Sequence, residues 1–347
     1  MSKQPVFYVL ILTFAFATTT LLYMPIIEKS SYPGPPFYQF NGHLQTIIPN
    51  MRAGAEVNYE RERILTPDDD FLDLDRINVG SKNLIVLTHG LEGDSNRSYM
   101  RNSAKWFSDR GWDVIAWNCR SCSGEMNKTR RLYSHGEIED IGQVIRHALV
   151  KGNYRNVALL GNSMGGNITM KYLGVNGENI PPEVKVGVAI SAPADLRSST
   201  VRTERLDNYL YNQRFLKSLE GKMREKAKMF PDLIDAENLK KVRGWDDFMN
   251  YFYAPLHDCA SVDDFYEYAT ARNFLAGTKV PLLLINALND PLLSPECSPR
   301  EIAEHHPLFY LETPKKGGHC GFDLPGKKHS WADERAYEFI RQAIEQT

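Results

Sequence analysis

Ser163 stands in Gly161-Asn162-Ser163-Met164-Gly165, behind the apolar run Val157-Ala158-Leu159-Leu160 and ahead of a helix-compatible stretch. A serine hydroxyl is a poor nucleophile until a base takes its proton. A histidine base in turn needs a third group to fix its tautomer and stabilise the imidazolium. Gly-x-Ser-x-Gly between a strand and a helix supplies the first of these parts, a sharp turn that leaves the hydroxyl exposed at a sheet edge. Gly161 and Gly165 give such a turn room that a Cβ would fill. Five small residues at a turn are common, so the pattern gains force only with an acid, a base and amide donors in the right order.

The chain offers them. Asp290 follows the apolar run Val280–Ala287, and His319 follows Leu308–Leu311 within Gly317-Gly318-His319-Cys320-Gly321. Ser163, Asp290 and His319 each sit in a loop directly after a predicted strand, so all three project from one edge of a sheet. The ordinary reading of Asp290 is a turn aspartate before Pro291, and Asp195, after Val184–Ile190, is the other acid to weigh. A tetrahedral intermediate needs backbone N–H donors. Met164, next after the nucleophile, and Leu91, in His89-Gly90-Leu91-Glu92-Gly93, are the expected pair. His89, at the end of its strand, reads as a loop-shaping residue, and His43 as a packed or capping one. His305, His306 and His329 read as surface residues, His135 and Asp140 as helix-start residues, and His147 as structural.

These residues need a scaffold. Glu60–Asn78 reads as two strands around the turn Thr66–Asp70, with Phe71–Ile77 alternating as a half-buried antiparallel strand does. Leu84–Thr88, Trp112–Asn118, Val157–Leu160, Val184–Ile190, Val280–Ala287 and Leu308–Leu311 read as strands, the most continuous of them covered on both faces. Helical spacing recurs in Ser98–Arg110, Gly136–Lys151 and Trp331–Gln346. The alternation predicts an α/β fold with a mostly parallel central sheet and helices on both faces. It breaks between Arg197 and Gly277, where charged, aromatic, helical sequence reads as amphipathic helices with ordinary core faces for most residues, and further as an inserted helical cap whose aromatics line an apolar entrance. The expected division is 1–27, an apolar N-terminal segment; 28–196, the first part of the core; 197–277, the cap; and 278–347, the second part of the core. Ser31–Asn50, rich in proline and aromatics, reads as an extended arm.

Composition excludes several classes. With 347 residues, 42% hydrophobic and 24% charged, the chain can bury a sizeable core. A net charge of −2, without a basic block, argues against a nucleic-acid partner. The five cysteines have no disulfide-framework spacing, and Cys119-Arg120-Ser121-Cys122 reads as two small residues in a loop after a strand rather than a redox pair or half a zinc site. Residues 4–27 carry no charge, and Val6–Met24 is long enough to cross a bilayer as a helix. A membrane anchor through residues 6–24, a cleaved signal ending near Ala15-Phe16-Ala17, and a chain that starts at Met24 are three readings of this stretch. The protein is cytoplasmic under the last and membrane-anchored under the first.

Taken together, Asn41-Gly42-His43-Leu44-Gln45-Thr46, His89–Gly93, Asn118-Cys119-Arg120-Ser121-Cys122-Ser123-Gly124-Glu125, Gly161–Gly166 and Gly318–Phe322 resemble the YheT-like, or EMB8-like, abhydrolase-domain hydrolases of the α/β-hydrolase fold, from about Pro25 to the C-terminus. The resemblance implies a serine esterase or lipase that needs no cofactor and acts on short-chain acyl esters or acylglycerols. Ser121 departs from it, because the family more often has glycine there, and this bears on the local loop shape. The expected function is ester hydrolysis through an acyl-enzyme, with Ser163, Asp290 and His319 catalytic and Leu91 and Met164 holding the oxyanion. Acyl transfer by the same residues, and a non-catalytic binding protein on the same fold, are the alternatives.

Overall fold

A computed structural model of the protein describes residues 25–346. Nine strands form one sheet: β1 (Ile26–Ile27), β2 (Glu60–Leu65), β3 (Phe71–Ile77), β4 (Asn83–Thr88), β5 (Asp113–Asn118), β6 (Asn156–Asn162), β7 (Val184–Ile190), β8 (Leu282–Ile285) and β9 (Phe309–Glu312). Their spatial order is β1-β9-β8-β7-β6-β4-β5-β3-β2. Every pairing from β1 across to β5 is parallel, and only β2–β3 and β3–β5 are antiparallel. The sheet is therefore mixed but mostly parallel, as the alternation of strands and helices predicts.

The inner strands are apolar throughout because both their faces are covered. Leu84, Val86, Val157, Leu159, Leu282 and Leu284 pack into one core. The alternate residues Ile85, Leu87, Ala158, Leu160, Leu283 and Ile285 pack into a second core on the opposite face. Helix α2 (Ser98–Ser108) and the closing helix Trp331–Glu345 cover the second face. Helices α3 (Glu139–Lys151) and α4 (Met164–Asn176) cover the first. The closing helix starts in a capping box, in which Ser330 and Asp333 exchange side-chain and backbone hydrogen bonds.

Four sequence expectations change in detail. Ser31–Asn50 is not extended throughout, because α1 (Gly42–Met51) begins within it, capped by Asn41, whose side chain accepts from the Leu44 N–H at 2.9 Å. The prolines mask this start, yet Pro49 lies in the last turn of α1 and does not prevent it. Strand β3 is buried from Phe71 to Asp75 rather than half-buried. Its aspartates face arginines directly across β2, with Arg63–Asp73 at 2.7 and 2.8 Å and Arg61–Asp75 at 2.8 and 2.7 Å, which makes the burial tolerable. Ile26 and Ile27, read with the apolar N-terminal segment, pair with Leu311 and Glu312 and extend the sheet; residues 6–24 lie outside the described residues. Finally, residues 197–277 are helical, including α5 (Leu196–Thr203) and α6 (Tyr209–Met229), but Phe248, Phe252, Tyr253 and Phe265 do not line an entrance. They stack on one another and join the core over α3 and α4, because a run of large aromatics gains more from burial than from solvent.

Candidate active site

Strand β6 hands the chain to α4 through a single strained residue. Ser163 has φ 55° and ψ −121°, a conformation costing ~1–3 kcal/mol for a residue with a Cβ. The surroundings hold it there. Its N–H donates to the Ile190 carbonyl at 2.8 Å, and its carbonyl accepts from Gly166 at 2.9 Å and Asn167 at 3.1 Å. A Cβ on Gly161 would lie 2.1 Å from the Gly165 carbonyl oxygen, and one on Gly165 would lie 2.2 Å from that of Thr88. Both glycines are needed because backbone passes where a side chain would be.

The Ser163 hydroxyl lies 2.9 Å from His319 Nε2, and His319 Nδ1 lies 2.8 Å from Asp290 Oδ2. A carboxylate can only accept, so Nδ1 carries the proton and Nε2 is free to accept from the serine. Asp290 is buried, and its Oδ1 accepts from the Leu292 N–H at 2.8 Å. The turn reading and the partnership with His319 thus describe one aspartate. Asp195 is elsewhere: it caps α5, accepting from the Ser198 N–H at 3.1 Å.

The loop that carries His319 is held by four consecutive amides. Gly317 N–H donates to Gln45 Oε1 at 2.8 Å, Gly318 to Asn289 Oδ1 at 3.1 Å, His319 to Thr46 Oγ1 at 2.9 Å and Cys320 to Ser191 Oγ at 2.9 Å. Gln45 Oε1 also accepts from Asn289 Nδ2 at 2.8 Å, which ties the loop of Asp290 to the loop of His319. A Cβ on Gly42 would lie 2.0 Å from the Asn289 carbonyl oxygen, so α1 approaches that loop backbone to backbone. The motif Asn41–Thr46 is distinctive in the sequence, but its work is visible only here. It is a brace for the loops of Asp290 and His319. His43, beside it, stacks on Tyr211 with ring centres 5.9 Å apart.

After β4 the chain turns at Gly90, where a Cβ would come within 3.1 Å of the Ser163 Cβ. Among the described residues, neither the Leu91 N–H nor the Met164 N–H that opens α4 has a hydrogen-bond acceptor. Leu91 lines the cleft beside Ser163. The next residue, Glu92, has φ 54°. Its carboxylate binds Lys222 at 2.7 Å and also takes bonds from Ser218 and Tyr133, so α6 is latched to this loop. Burial alone would raise the Glu92 pKa, but Lys222 and the other donors hold it below the ordinary value. Glu92 stands in the motif His89–Gly93, but no pattern in the sequence joins it to Lys222, since the pair is formed across 130 residues of chain.

His89 is buried with both nitrogens engaged. Nδ1 is 2.8 Å from the Gly90 carbonyl, and Nε2 accepts from the Cys119 N–H at 3.0 Å. Burial pushes its pKa down to about 4. Ser121 has φ 63°, which explains why glycine suits that place, and its hydroxyl donates to Asn127 Oδ1 at 2.6 Å within the loop. Arg120 is buried, with two bonds to Asp140 at 2.8 and 2.9 Å and further bonds to Asp68 and Asp70. Asp140 is thus the partner of an arginine under the sheet. Cys119 and Cys122 are free thiols, and burial pushes Cys122 up to about 11, the reverse of a reactive redox thiol.

Ser163 and His319 open into a cleft of about 360 Å³. Ile47, Met51, Leu91, Tyr211, Phe215 and Leu292 supply its apolar walls, and Arg97 and Arg214 also border it. Such a cleft admits a ligand with an apolar portion lying against the Ser163 hydroxyl.

Residues 83–325 match the family model of the alpha/beta hydrolase fold. The chain is 30% identical to YheT of Escherichia coli (strain K12), provisionally named an esterase, over 88% of this chain and 92% of that protein. It is 26% identical to the phospholipase ABHD3 of Mus musculus over 92% of this chain and 80% of that one. Among solved structures, an esterase of Pyrococcus furiosus shares the fold with a TM-score of 0.56 at 19% identity, over 82% of this chain and 91% of that chain. The mixed, mostly parallel sheet, the strained serine between β6 and α4, and these likenesses lead to one statement: the chain belongs to the α/β-hydrolase fold family, with YheT-type proteins among its relatives.

Proposed function

We propose that this chain is a serine hydrolase of carboxylic esters that works through an acyl-enzyme, on short-chain acyl esters or acylglycerols. The observation that carries the reading is the unbroken relay from Asp290 Oδ2 to His319 Nδ1 at 2.8 Å and from His319 Nε2 to Ser163 Oγ at 2.9 Å. As Ser163 Oγ attacks the ester carbonyl, its proton passes to His319 Nε2, and the imidazolium is stabilised by the Asp290 carboxylate. The oxyanion takes the two N–H groups of Leu91 and Met164 that have no other acceptor among the described residues. His319 then returns the proton to the leaving alcohol. Water, activated by the same imidazole, releases the acid. The apolar walls of the cleft suit an acyl chain, and relatives named as an esterase and as a phospholipase support an ester substrate.

A fluorophosphonate probe and a chain-length series of p-nitrophenyl and monoacylglycerol esters test this. The expected result is labelling and turnover in the native chain and neither in Ser163→Ala. Labelling of that variant at another serine, or a native chain inert to every ester in the series, would overturn it.

A further inference from the structure

We propose that the rim of the cleft is a docking face for a lipid surface carrying anionic headgroups, built from the turn before α1, from α1 itself and from the start of α6. The proposal extends the ester-hydrolase reading by saying where the substrate is met. It rests on that reading only for what happens after docking.

Large apolar side chains are unusually bare here. Leu206 is 93% exposed, Leu210 79%, Phe40 75%, Met51 80% and Leu288 67%. They come from three separate stretches of sequence, yet those stretches meet. His43 of α1 stacks on Tyr211 of α6. Asn208 Nδ2 donates to the Pro291 carbonyl at 2.6 Å, fastening the turn before α6 to the loop of Asp290 and Leu288. Gly42 packs against the Asn289 carbonyl of that same loop. Exposed apolar residues held together in this way mark an interaction site, whereas single ones do not. Met51 of the patch and Tyr211, beside Leu210, also line the cleft, so the patch borders its mouth.

The position of the patch selects its occupant. A protein partner seated on it would close the opening to Ser163. A lipid surface would cover the same residues and present ester bonds to the opening. Charge points the same way. Leu210, Arg214 and Lys217 follow one another at helical spacing on the exposed side of α6, and Arg205 is exposed just before it. Arg214 and Lys217 have no ion pair among the described residues. The nearby carboxylate of Asp207 is occupied by two bonds from Arg202, at 3.0 and 2.9 Å. Arg205 shares Asp207, its Nε 3.8 Å from Oδ1, which leaves Arg214 and Lys217 as the cations behind the apolar tip. Such a tip suits apolar insertion beneath phosphate groups. No helix among the described residues is long and apolar enough to cross a membrane.

The test uses the full chain with vesicles of equimolar phosphatidylcholine and phosphatidylglycerol. Hydrogen exchange read by mass spectrometry is expected to slow in residues 36–51 and 204–214 when vesicles are added. This readout is local, so attachment through another part of the chain does not produce it. In the double variant Leu206→Glu/Leu210→Glu, that protection should be lost and turnover of a vesicle-borne ester should fall roughly tenfold or more, since two apolar contacts become charges. Turnover of a dissolved p-nitrophenyl ester should be unchanged. Phe40→Glu provides a second break on the other side of the rim. Unaltered exchange in both segments on vesicle addition overturns the proposal. So does a native chain that self-associates through this face and becomes monomeric in the double variant. A native chain that gains protection but is inert on dissolved ester defeats the ester reading and leaves the docking face standing.

Discussion

Two loops leave the same edge of the sheet with a histidine in each, one after β4 and one after β9, and their histidines have opposite fates. His89 has both ring nitrogens spent on backbone, one near the Gly90 carbonyl and one on the Cys119 N–H, and is fully buried. His319 has a carboxylate on one nitrogen and the Ser163 hydroxyl on the other, and it borders the cleft. The residue type is the same and so is the kind of loop. What differs is whether the second nitrogen meets a backbone amide or a serine hydroxyl. A histidine bound twice by backbone is a fastener, and here it fastens the loop that carries Leu91. A histidine left one nitrogen for a hydroxyl is placed to take its proton, the role proposed for His319.

The comparison can be broken most sharply at the base. His319→Ala should lower ester turnover by roughly ten-thousandfold or more, and Asp290→Asn by a comparable factor through the wrong tautomer, with the thermal midpoint little changed. The same change at Asp195 should leave the rate close to native. A large loss there with an active Asp290→Asn would move the acid to the other loop. Next in size is the brace. Gln45→Ala removes the acceptor shared by the Gly317 amide and the Asn289 side chain, and should cost ~1–3 kcal/mol of stability in urea unfolding. Because the loop of His319 then loses its register, kcat should fall more than KM rises.

His89→Leu tests the other histidine. It leaves the Cys119 N–H and the Gly90 carbonyl without this partner, and should cost ~1–3 kcal/mol of stability. Its effect on turnover should be far smaller than that of His319→Ala, and a loss as large would erase the distinction drawn here. A further effect is in pH. Burial lowers the folded pKa of His89 to about 4, below the ordinary imidazole value of 6.5, so the unfolded chain takes up the proton first. The stability this group contributes is complete above about pH 6.5 and is lost as pH falls toward 4, with a slope of roughly 1.4 kcal/mol per pH unit. Burial raises the Asp140 and Asp333 carboxyls, and these oppose the trend at lower pH. Nitrogen-15 spectra of the His89 imidazole at pH 5 should show the neutral ring; a charged ring there would mean the loop is open.

Much of the architecture was legible because it follows from local periodicity. The apolar runs Leu84–Thr88, Val157–Leu160 and Val184–Ile190 can only be strands covered on both faces, and all three are. The serine turn was legible because its two glycines have a steric cause that holds in any such turn. The aspartates of β3 were misread because alternation records polarity. It does not record whether a facing arginine makes burial affordable. Which aromatics of 197–277 fill the core, as Phe248 and Phe265 do, and which line the cleft, as Tyr211 and Phe215 do, was not legible, since a hydrophobic side chain looks the same in a sequence in either place.

By itself, then, the sequence determined the order of strands and helices and the strand ends at which Ser163, Asp290 and His319 must lie, because these depend on contacts between residues close in the chain. Only the tertiary structure decided how those ends are held. The brace from Gln45 and Thr46 to the His319 loop, the latch from Lys222 to Glu92, and the choice between His89 and His319 all join residues far apart in sequence. A hydrogen bond has a partner only once the chain has folded and brought it within 3 Å or so, and no spacing along the chain encodes that meeting.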